Sequence, residues 1–177
     1  MTLGSSFLDS AIKRSAYYKE LGDGSFAQIP DEAFHFTPND VSNSIAVIIR
    51  HLAGNMLSRW THFLTEDGEK SWRERDQEFE EPELDRAGVM ALWEKGWDCY
   101  LSTLRSLSED DLLRTVHIRS EPMSVLDAIN RQLAHYPYHV GQIVYLARMF
   151  RGDAWQSLSI PKGDSQAFNK GMGHALR

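Results

Sequence analysis

The sequence predicts an all-α fold: a four-helix bundle that forms a single domain over residues 1–177. Apolar side chains recur at spacings of three and four in four long segments, as on helices that bury one face. Strand-like alternation is confined to the short run TVHIR at residues 115–119, which predicts one short extended piece. Four helices of about 22 residues, each about 33 Å long, can enclose one elongated core.

The first two helices lie on either side of a glycine-rich stretch. The first is predicted over residues 5–21 and is expected to end at Gly22, because glycine commonly follows the last helical turn. The stretch GDGSFAQIP is predicted to be a loop, and a short turn is expected at residues 31–36. The second helix is predicted over residues 42–64, where isoleucine, leucine and methionine form a broad apolar stripe.

The second half of the chain contains the other two helices. Residues 65–83 are rich in charge and are interpreted as an exposed connection, and connections of this length often carry function. The third helix is predicted over residues 85–107. Ser124 and Asp127 resemble a capping box, which would start a fourth helix that reaches Phe150. The polar tail that follows is expected to be irregular.

Composition and charge exclude several classes of partner. The net charge is −6, from 19 basic and 25 acidic residues, so the basic excess of a nucleic-acid-binding protein is missing. No apolar run approaches the roughly 20 residues that span a bilayer, and the N-terminal segment lacks a signal-peptide core. Cys99 is the one cysteine, which excludes an internal disulfide and fits a reducing compartment. We therefore expect a cytoplasmic protein without nucleic-acid or membrane partners.

A pair of histidines in the fourth helix carries the strongest chemical signal. His135 and His139 are four residues apart, so their rings share one helix face and can chelate one metal ion. The pattern is not HExxH, so the general base of a metalloprotease is missing. Pro137 lies between them, although a proline inside a helix costs about 3 kcal/mol. We hypothesise that the helix tolerates it because this segment is shaped for a ligand.

Two histidines need a third ligand to form a useful metal site. His51 is the best candidate, because it lies in the second helix beside the apolar stripe, with Asn55 on the same face. A hydrogen-bonded structural role for these histidines is the alternative interpretation. Four further histidines lie near a helix end, in connectors or in the tail: His35, His62, His117 and His174.

Three stretches together resemble one known family. RHLAGNMLSRW, HIRSEPMSVLDAINRQLAHYPYHVGQIVYLAR and LSIPKGDSQAFN are similar to the DinB/YfiT-like superfamily, and most closely to uncharacterised bacterial proteins grouped as a domain of unknown function. The pattern HxxxHxGQI is the most specific part. The resemblance implies a bundle of up-down-down-up topology, a homodimer, and a nickel, zinc or iron ion bound by His51, His135 and His139. Pro137 departs from the small or aromatic residue expected there.

The resemblance also implies an activity. Characterised relatives include thiol-dependent S-transferases and isomerases that use low-molecular-weight thiols in place of glutathione. We therefore expect metal-dependent thiol-transfer or related chemistry on a small molecule, with two alternatives: metal-dependent hydrolysis of a small amide or ester, and a non-catalytic, stress-related metal-binding or interaction protein. From helical spacing alone, Asn55 and Gln142 are candidates to hold the imidazoles, and Arg59 and Arg131 to attract an anionic substrate.

Overall fold

The computed structural model describes residues 2–172 and is mostly helical. His174, one of the histidines considered above, lies outside the described residues. Short 3-10 turns, including the turn expected near residue 31, connect the main elements. The helices and strands are α1 (Leu3–Phe26), α2 (Ile45–Trp60), α3 (Arg86–Ser106), β1 (Thr115–Ile118), β2 (Glu121–Ser124), α4 (Val125–Arg151) and α5 (Ser165–Met172).

Side-chain caps define where the long helices begin. Ser44 Oγ accepts from the backbone N–H of Val47 at the start of α2, and the Asp85 carboxylate accepts from the N–H of Gly88 at the start of α3. Ser124 caps α4, as the sequence predicts, by accepting from the N–H of Asp127. Each cap satisfies one of the amide groups that a helix leaves unpaired at its first turn. The bounds of α3 and α4 accordingly lie within one residue of those predicted.

The predicted end of the first helix is wrong. α1 does not stop at Gly22 but continues to Phe26, so most of the GDGSFAQIP stretch is helical rather than a loop. The reason is tertiary packing: a Cβ on Gly22 would lie 2.5 Å from Trp93 Cζ2, so only glycine lets α1 approach this ring. Phe26 is buried and packs edge-on against Trp93, with ring centroids 5.1 Å apart. This burial outweighs the helix penalty of about 1 kcal/mol for a glycine.

The second helix is shorter than predicted. α2 ends at Trp60 rather than near residue 64, because Thr61 adopts an extended backbone and His62 has a φ of 52°. A positive φ is incompatible with continuing a right-handed helix. The chain then turns back, with the amide groups of Thr65 and Glu66 donating to the carbonyl of His62. The connection to α3 therefore begins directly after the aromatic core residue Trp60.

The four long helices enclose one hydrophobic core. α1 packs against α3 and α4, and α2 packs against the same two helices. Large aromatic side chains fill the centre, and those of Trp60, Trp93, Trp97, Tyr100 and Tyr136 are almost fully buried. The predicted extended piece is confirmed as β1, which pairs antiparallel with β2 at one end. The up-down-down-up order of the helices and the single domain over residues 1–177 stay predictions.

The tail after α4 contains more structure than predicted. An irregular segment was expected, but residues 165–172 form α5, whose residues 165–171 are exposed. The first turn of α5 begins with a hydrogen bond from Phe168 N to the Asp164 carbonyl. Within residues 2–172, none of the helices combines the length and the apolar content that crossing a lipid bilayer requires.

Candidate metal centre

The structure brings the three predicted histidines together where α2 and α4 pack. His135 Nε2 lies 3.4 Å from His51 Nε2 and 3.2 Å from His139 Nε2. One ligand nitrogen from each ring can be chosen so that all three lie within 4.8 Å of one another. The rings are half-buried rather than enclosed. His35, in contrast, pairs with Glu81 outside this cluster.

The helical spacing of His135 and His139 explains why these two of the three rings lie close together. Residues four apart lie one above the other on a helix, and α4 remains helical across Pro137. Proline has no N–H, so the Leu133 carbonyl loses its usual partner, but the two rings still project from one face. The proline therefore does not separate the pair.

His51 is held by groups that come from the connection between α2 and α3. Its Nδ1 lies 3.0 Å from Glu78 Oε2. Glu78 in turn accepts two hydrogen bonds from Arg73, at 2.7 and 2.8 Å, and both side chains are buried. Phe79 stacks on the His51 ring, with centroids 4.8 Å apart. The prediction that residues 65–83 are an exposed connection is therefore wrong at Arg73 and Glu78, because this pair packs under the cluster.

The α4 histidines are held by glutamines of their own helix. His135 Nδ1 lies 3.3 Å from Gln132 Oε1, and His139 Nδ1 lies 2.8 Å from Gln142 Oε1. Each glutamine is three residues from its histidine, a separation at which helical side chains meet. Sequence reasoning selected Gln142 but missed Gln132, although the same spacing rule applied in the other direction along the helix.

These contacts favour the same tautomer in all three rings. Every Nδ1 faces an oxygen acceptor, so each neutral imidazole carries its proton on Nδ1 and leaves a lone pair on Nε2. The three Nε2 lone pairs then face one another. Nε2 of His135 lies 3.4 Å from Nε2 of His51 and 3.2 Å from Nε2 of His139. Two acceptors at this distance repel each other unless a proton or a cation lies between them. The arrangement suits a shared cation.

The charge states favour a metal ion over a proton. Burial, together with the neighbouring rings of His139 and His51, lowers the pKa of His135 to about 3. Burial also lowers the pKa of His139, although its hydrogen bond to Gln142 acts in the opposite direction. Burial opposes ionisation of Glu78, but hydrogen bonds from Arg73 and His51 outweigh it and keep the pKa of this carboxyl below its usual value. At neutral pH the α4 rings are therefore neutral and Glu78 is ionised.

The nitrogen spacing also fits a metal ion. Two nitrogens bound at about 2.0–2.1 Å to a tetrahedral ion lie about 3.3 Å apart. The two shortest Nε2 separations, 3.2 and 3.4 Å, lie on either side of this value. Among residues 2–172, no fourth histidine, cysteine, aspartate or glutamate joins the group. Three ligands leave a tetrahedral ion one position for an exchangeable molecule.

The other predicted site residues lie in different surroundings. Asn55 accepts a hydrogen bond from the Tyr136 hydroxyl at 3.0 Å, so it supports the core rather than an imidazole. Arg59 is buried, with 4 % of its surface exposed, whereas Arg131 is exposed. Both arginines are close enough to His135 to lower its pKa.

Sequence reasoning missed Arg73 and Glu78. Their roles depend on how the 65–83 connection folds back under α2, and no local spacing rule links Glu78 to a histidine 27 residues earlier. The one available signal was the length of this charged connection, which indicated a functional segment without identifying the residues.

Fold and site together define a class of protein: a mostly helical protein that carries a cluster of three histidines between two of its helices. A family model described as a protein of unknown function, DUF1572, matches residues 2–164, and the chain therefore belongs to this family. The family is grouped with the DinB/YfiT-like families, which confirms the resemblance at that level. Neither the curated proteins nor the solved structures contain a significant match.

Proposed function

We propose that the protein is a metal-dependent enzyme with an open three-histidine site. One nickel, zinc or iron ion is bound through Nε2 of His51, His135 and His139. The observation that carries this proposal is the set of converging lone pairs, because each Nδ1 is committed to an oxygen acceptor and the shortest Nε2 distances match a metal site. The reaction that we propose is thiol-dependent S-transfer, or related chemistry, on a small molecule.

Residues of the chain orient the site for this chemistry. When bound, a divalent ion with three neutral ligands lowers the pKa of a thiol or water that it ligates toward neutrality. Glu78, Gln132 and Gln142 hold the rings in one tautomer, so the ligand set needs no rearrangement. Phe79 and Tyr138 pack against the rings of His51 and His139, respectively.

A groove beside the cluster can admit a substrate. It has a volume of about 500 Å³, and Gln142, the partner of His139, forms part of its wall. Tyr138, Tyr145 and Met149 of α4 provide apolar surface along it, opposite Pro38. Mixed apolar walls with a few polar groups are typical of small-molecule sites. The groove therefore supports a small-molecule substrate that binds next to Gln142.

Two alternatives differ in what they require. Hydrolysis of a small amide or ester would use the same site, with water rather than a thiol as the nucleophile. A non-catalytic, stress-related metal-binding protein would need the ion only for stability, and structural sites are usually closed by a fourth protein ligand. Because only three such ligands converge within residues 2–172, the open site favours an enzyme.

The remaining features of the proposal rest on the family resemblance and on composition. They are the up-down-down-up order of the bundle, one domain over residues 1–177, a homodimer, a cytoplasmic location, and the absence of nucleic-acid and membrane partners. The net charge of −6 supports the exclusion of nucleic acid.

A conjugation screen tests the proposed function. Protein purified without an affinity tag is loaded with nickel, zinc or iron and incubated with low-molecular-weight thiols and small electrophiles, and thioether products are measured. We expect metal-dependent conjugation that His139→Ala abolishes and His117→Ala retains, because His117 is exposed on β1 outside the cluster. Thiol-independent release of an acid from amides or esters would instead favour the hydrolase. If His139→Ala lowers only the melting temperature, the non-catalytic alternative is correct.

A further inference from the structure

A buried arginine near the three-histidine cluster has no partner for its charge among residues 2–172. Arg59 projects from the last turn of α2, and only 4 % of its surface is exposed. Its Nε and Nη1 atoms are enclosed and form no hydrogen bond within residues 2–172. Gly68 packs against its stem, so that a Cβ at this glycine would lie 3.2 Å from Arg59 Cδ. A buried charge without a partner is strongly unfavourable, so binding of an anion to this guanidinium would stabilise the folded chain.

Two further arginines, Arg73 and Arg131, lie close enough to Arg59 for their charges to act on it. Arg73 uses Nε and Nη2 for Glu78, but its Nη1 is also buried and unpartnered within the described residues. Arg131 is exposed and takes part in none of the ion pairs seen in residues 2–172. Burial, together with the charges of Arg131 and Arg73, lowers the pKa of Arg59 to about 10, so the three guanidinium groups act on one region. With this pKa, Arg59 still carries its charge at neutral pH.

Neighbouring carboxylates do not neutralise this region. Glu69 raises the pKa of Arg59, but its oxygens already accept hydrogen bonds from Arg75 and Arg119. Glu78 is shared between Arg73 and His51. A divalent ion on three neutral imidazoles would add two more positive charges beside His135, whose pKa Arg131 and Arg59 already lower.

We propose that Arg59, Arg73 and Arg131 form an oxyanion-binding site for the carboxylate or phosphate group of a small molecule. Guanidinium groups are well suited to both groups, because their planar N–H donors match two oxygens of one anion. Arg59 and Arg73 supply the enclosed donors, and Arg131 adds an exposed guanidinium whose charge acts on both Arg59 and His135. The inference rests on the proposed function only in taking this ligand to be the substrate of the metal centre, which would then be an anionic molecule.

Anion binding to the metal-free full-length chain tests the inference. Inorganic phosphate and acetate are titrated separately by calorimetry at constant ionic strength, and thermal unfolding is followed over the same concentrations. We expect saturable binding of at least one anion, and the stronger one identifies the favoured group. Arg59→Met should weaken binding about ten- to a hundredfold, because charge-assisted hydrogen bonds are lost. Arg105→Met, which replaces an exposed arginine at the end of α3, should bind as the wild type does.

Further variants keep the test decisive. Without anion, Arg59→Met should raise the melting temperature, because it removes a buried charge that no residue in the described part of the chain pairs. If Arg59→Met does not fold, Arg131→Gln at an exposed position should still weaken binding severalfold. The inference is overturned if neither anion binds saturably, or if these variants bind like the wild type.

The same titrations separate this inference from the proposed function. His139→Ala removes a proposed metal ligand but none of the arginines, so the metal-free variant should still bind the anion. Intact phosphate binding without any nickel binding would reject the metal centre alone, and nickel binding without anion binding would reject the oxyanion site alone.

Discussion

The two sides of the histidine cluster are built differently. On the α4 side, His135 and His139 are held by Gln132 and Gln142, each three residues away on the same helix. On the α2 side, His51 is held by a buried carboxylate that lies 27 residues further along the chain. The α4 half thus forms whenever α4 is helical, whereas the α2 half requires the connection to fold. We infer that the folding of the α2–α3 connection decides whether His51 is oriented to join the two α4 histidines.

The α2 side also carries the larger electrostatic cost. Glu78 and Arg73 are buried together, and such a pair is stable only when both partners and their hydrogen bonds are present. Gln132 and Gln142 carry no charge, so losing either leaves no buried ion. Variants on the α2 side should therefore have larger effects than variants on the α4 side.

The largest expected effect comes from separating the buried pair. Arg73→Met leaves Glu78 ionised without its main partner, and the free energy of unfolding should fall by about 3 kcal/mol. Arg75→Met is the matched control, because Arg75 and Glu69 form a half-exposed pair and its loss should cost at most about 1 kcal/mol. Urea unfolding of the metal-free proteins measures both. Equal losses for the two variants would contradict the buried role of Arg73.

Metal affinity should distinguish the two sides directly. Glu78→Ala removes the acceptor that orients His51, and we expect metal affinity to fall about 10–100-fold. Gln142→Ala removes a neutral acceptor from His139 and should cost less than about tenfold. Nickel titration of both variants under identical conditions gives the ratio. A larger loss for Gln142→Ala would reverse the proposed ranking.

The stability of the metal-free protein should depend on pH through the α4 histidines. The folded-state pKa values of His135 and His139 lie below the unfolded value of about 6.5, so the unfolded chain binds more protons as the pH falls. Their stabilising contribution is complete above about pH 6.5 and decreases toward the folded pKa of His135, which is about 3. Urea unfolding between pH 7 and pH 5 should show this loss, and His135→Gln should reduce it. A flat wild-type profile would refute it.

The smallest expected effect comes from Gly54 of α2, whose missing side chain leaves room for the Glu78 carboxylate. A Cβ on Gly54 would lie 2.2 Å from Glu78 Oε1, so Gly54→Ala must displace the carboxylate. We expect a severalfold loss of metal affinity without the change of any ligand. Gly141→Ala on α4 is the control, because its Cβ would meet nothing within 4 Å. There the change should only stabilise the helix, by up to about 1 kcal/mol. Identical affinities in both variants would show that Glu78 is not constrained.

Local patterns predicted most of the fold and the α4 half of the site. Helix α4, its Ser124 cap and the shared face of His135 and His139 follow from periodicity and spacing. The length of α1 did not, because only contact with Trp93 explains why the helix continues past Gly22. The sequence also could not predict the roles of Glu78 and Arg73 or the burial of Arg59. These depend on the path of the 65–83 connection, which shows no hydrophobic periodicity.

A metal titration tests the central claim that His51 from α2 joins the α4 pair in binding one ion. Tag-free protein is stripped with a chelator, dialysed at neutral pH and titrated with nickel, and bound metal is measured by elemental analysis. We predict one ion per chain for the wild type and for His117→Ala, and a loss of binding in His51→Ala. Absence of stoichiometric metal in the wild type, or full binding by His51→Ala, would contradict the account.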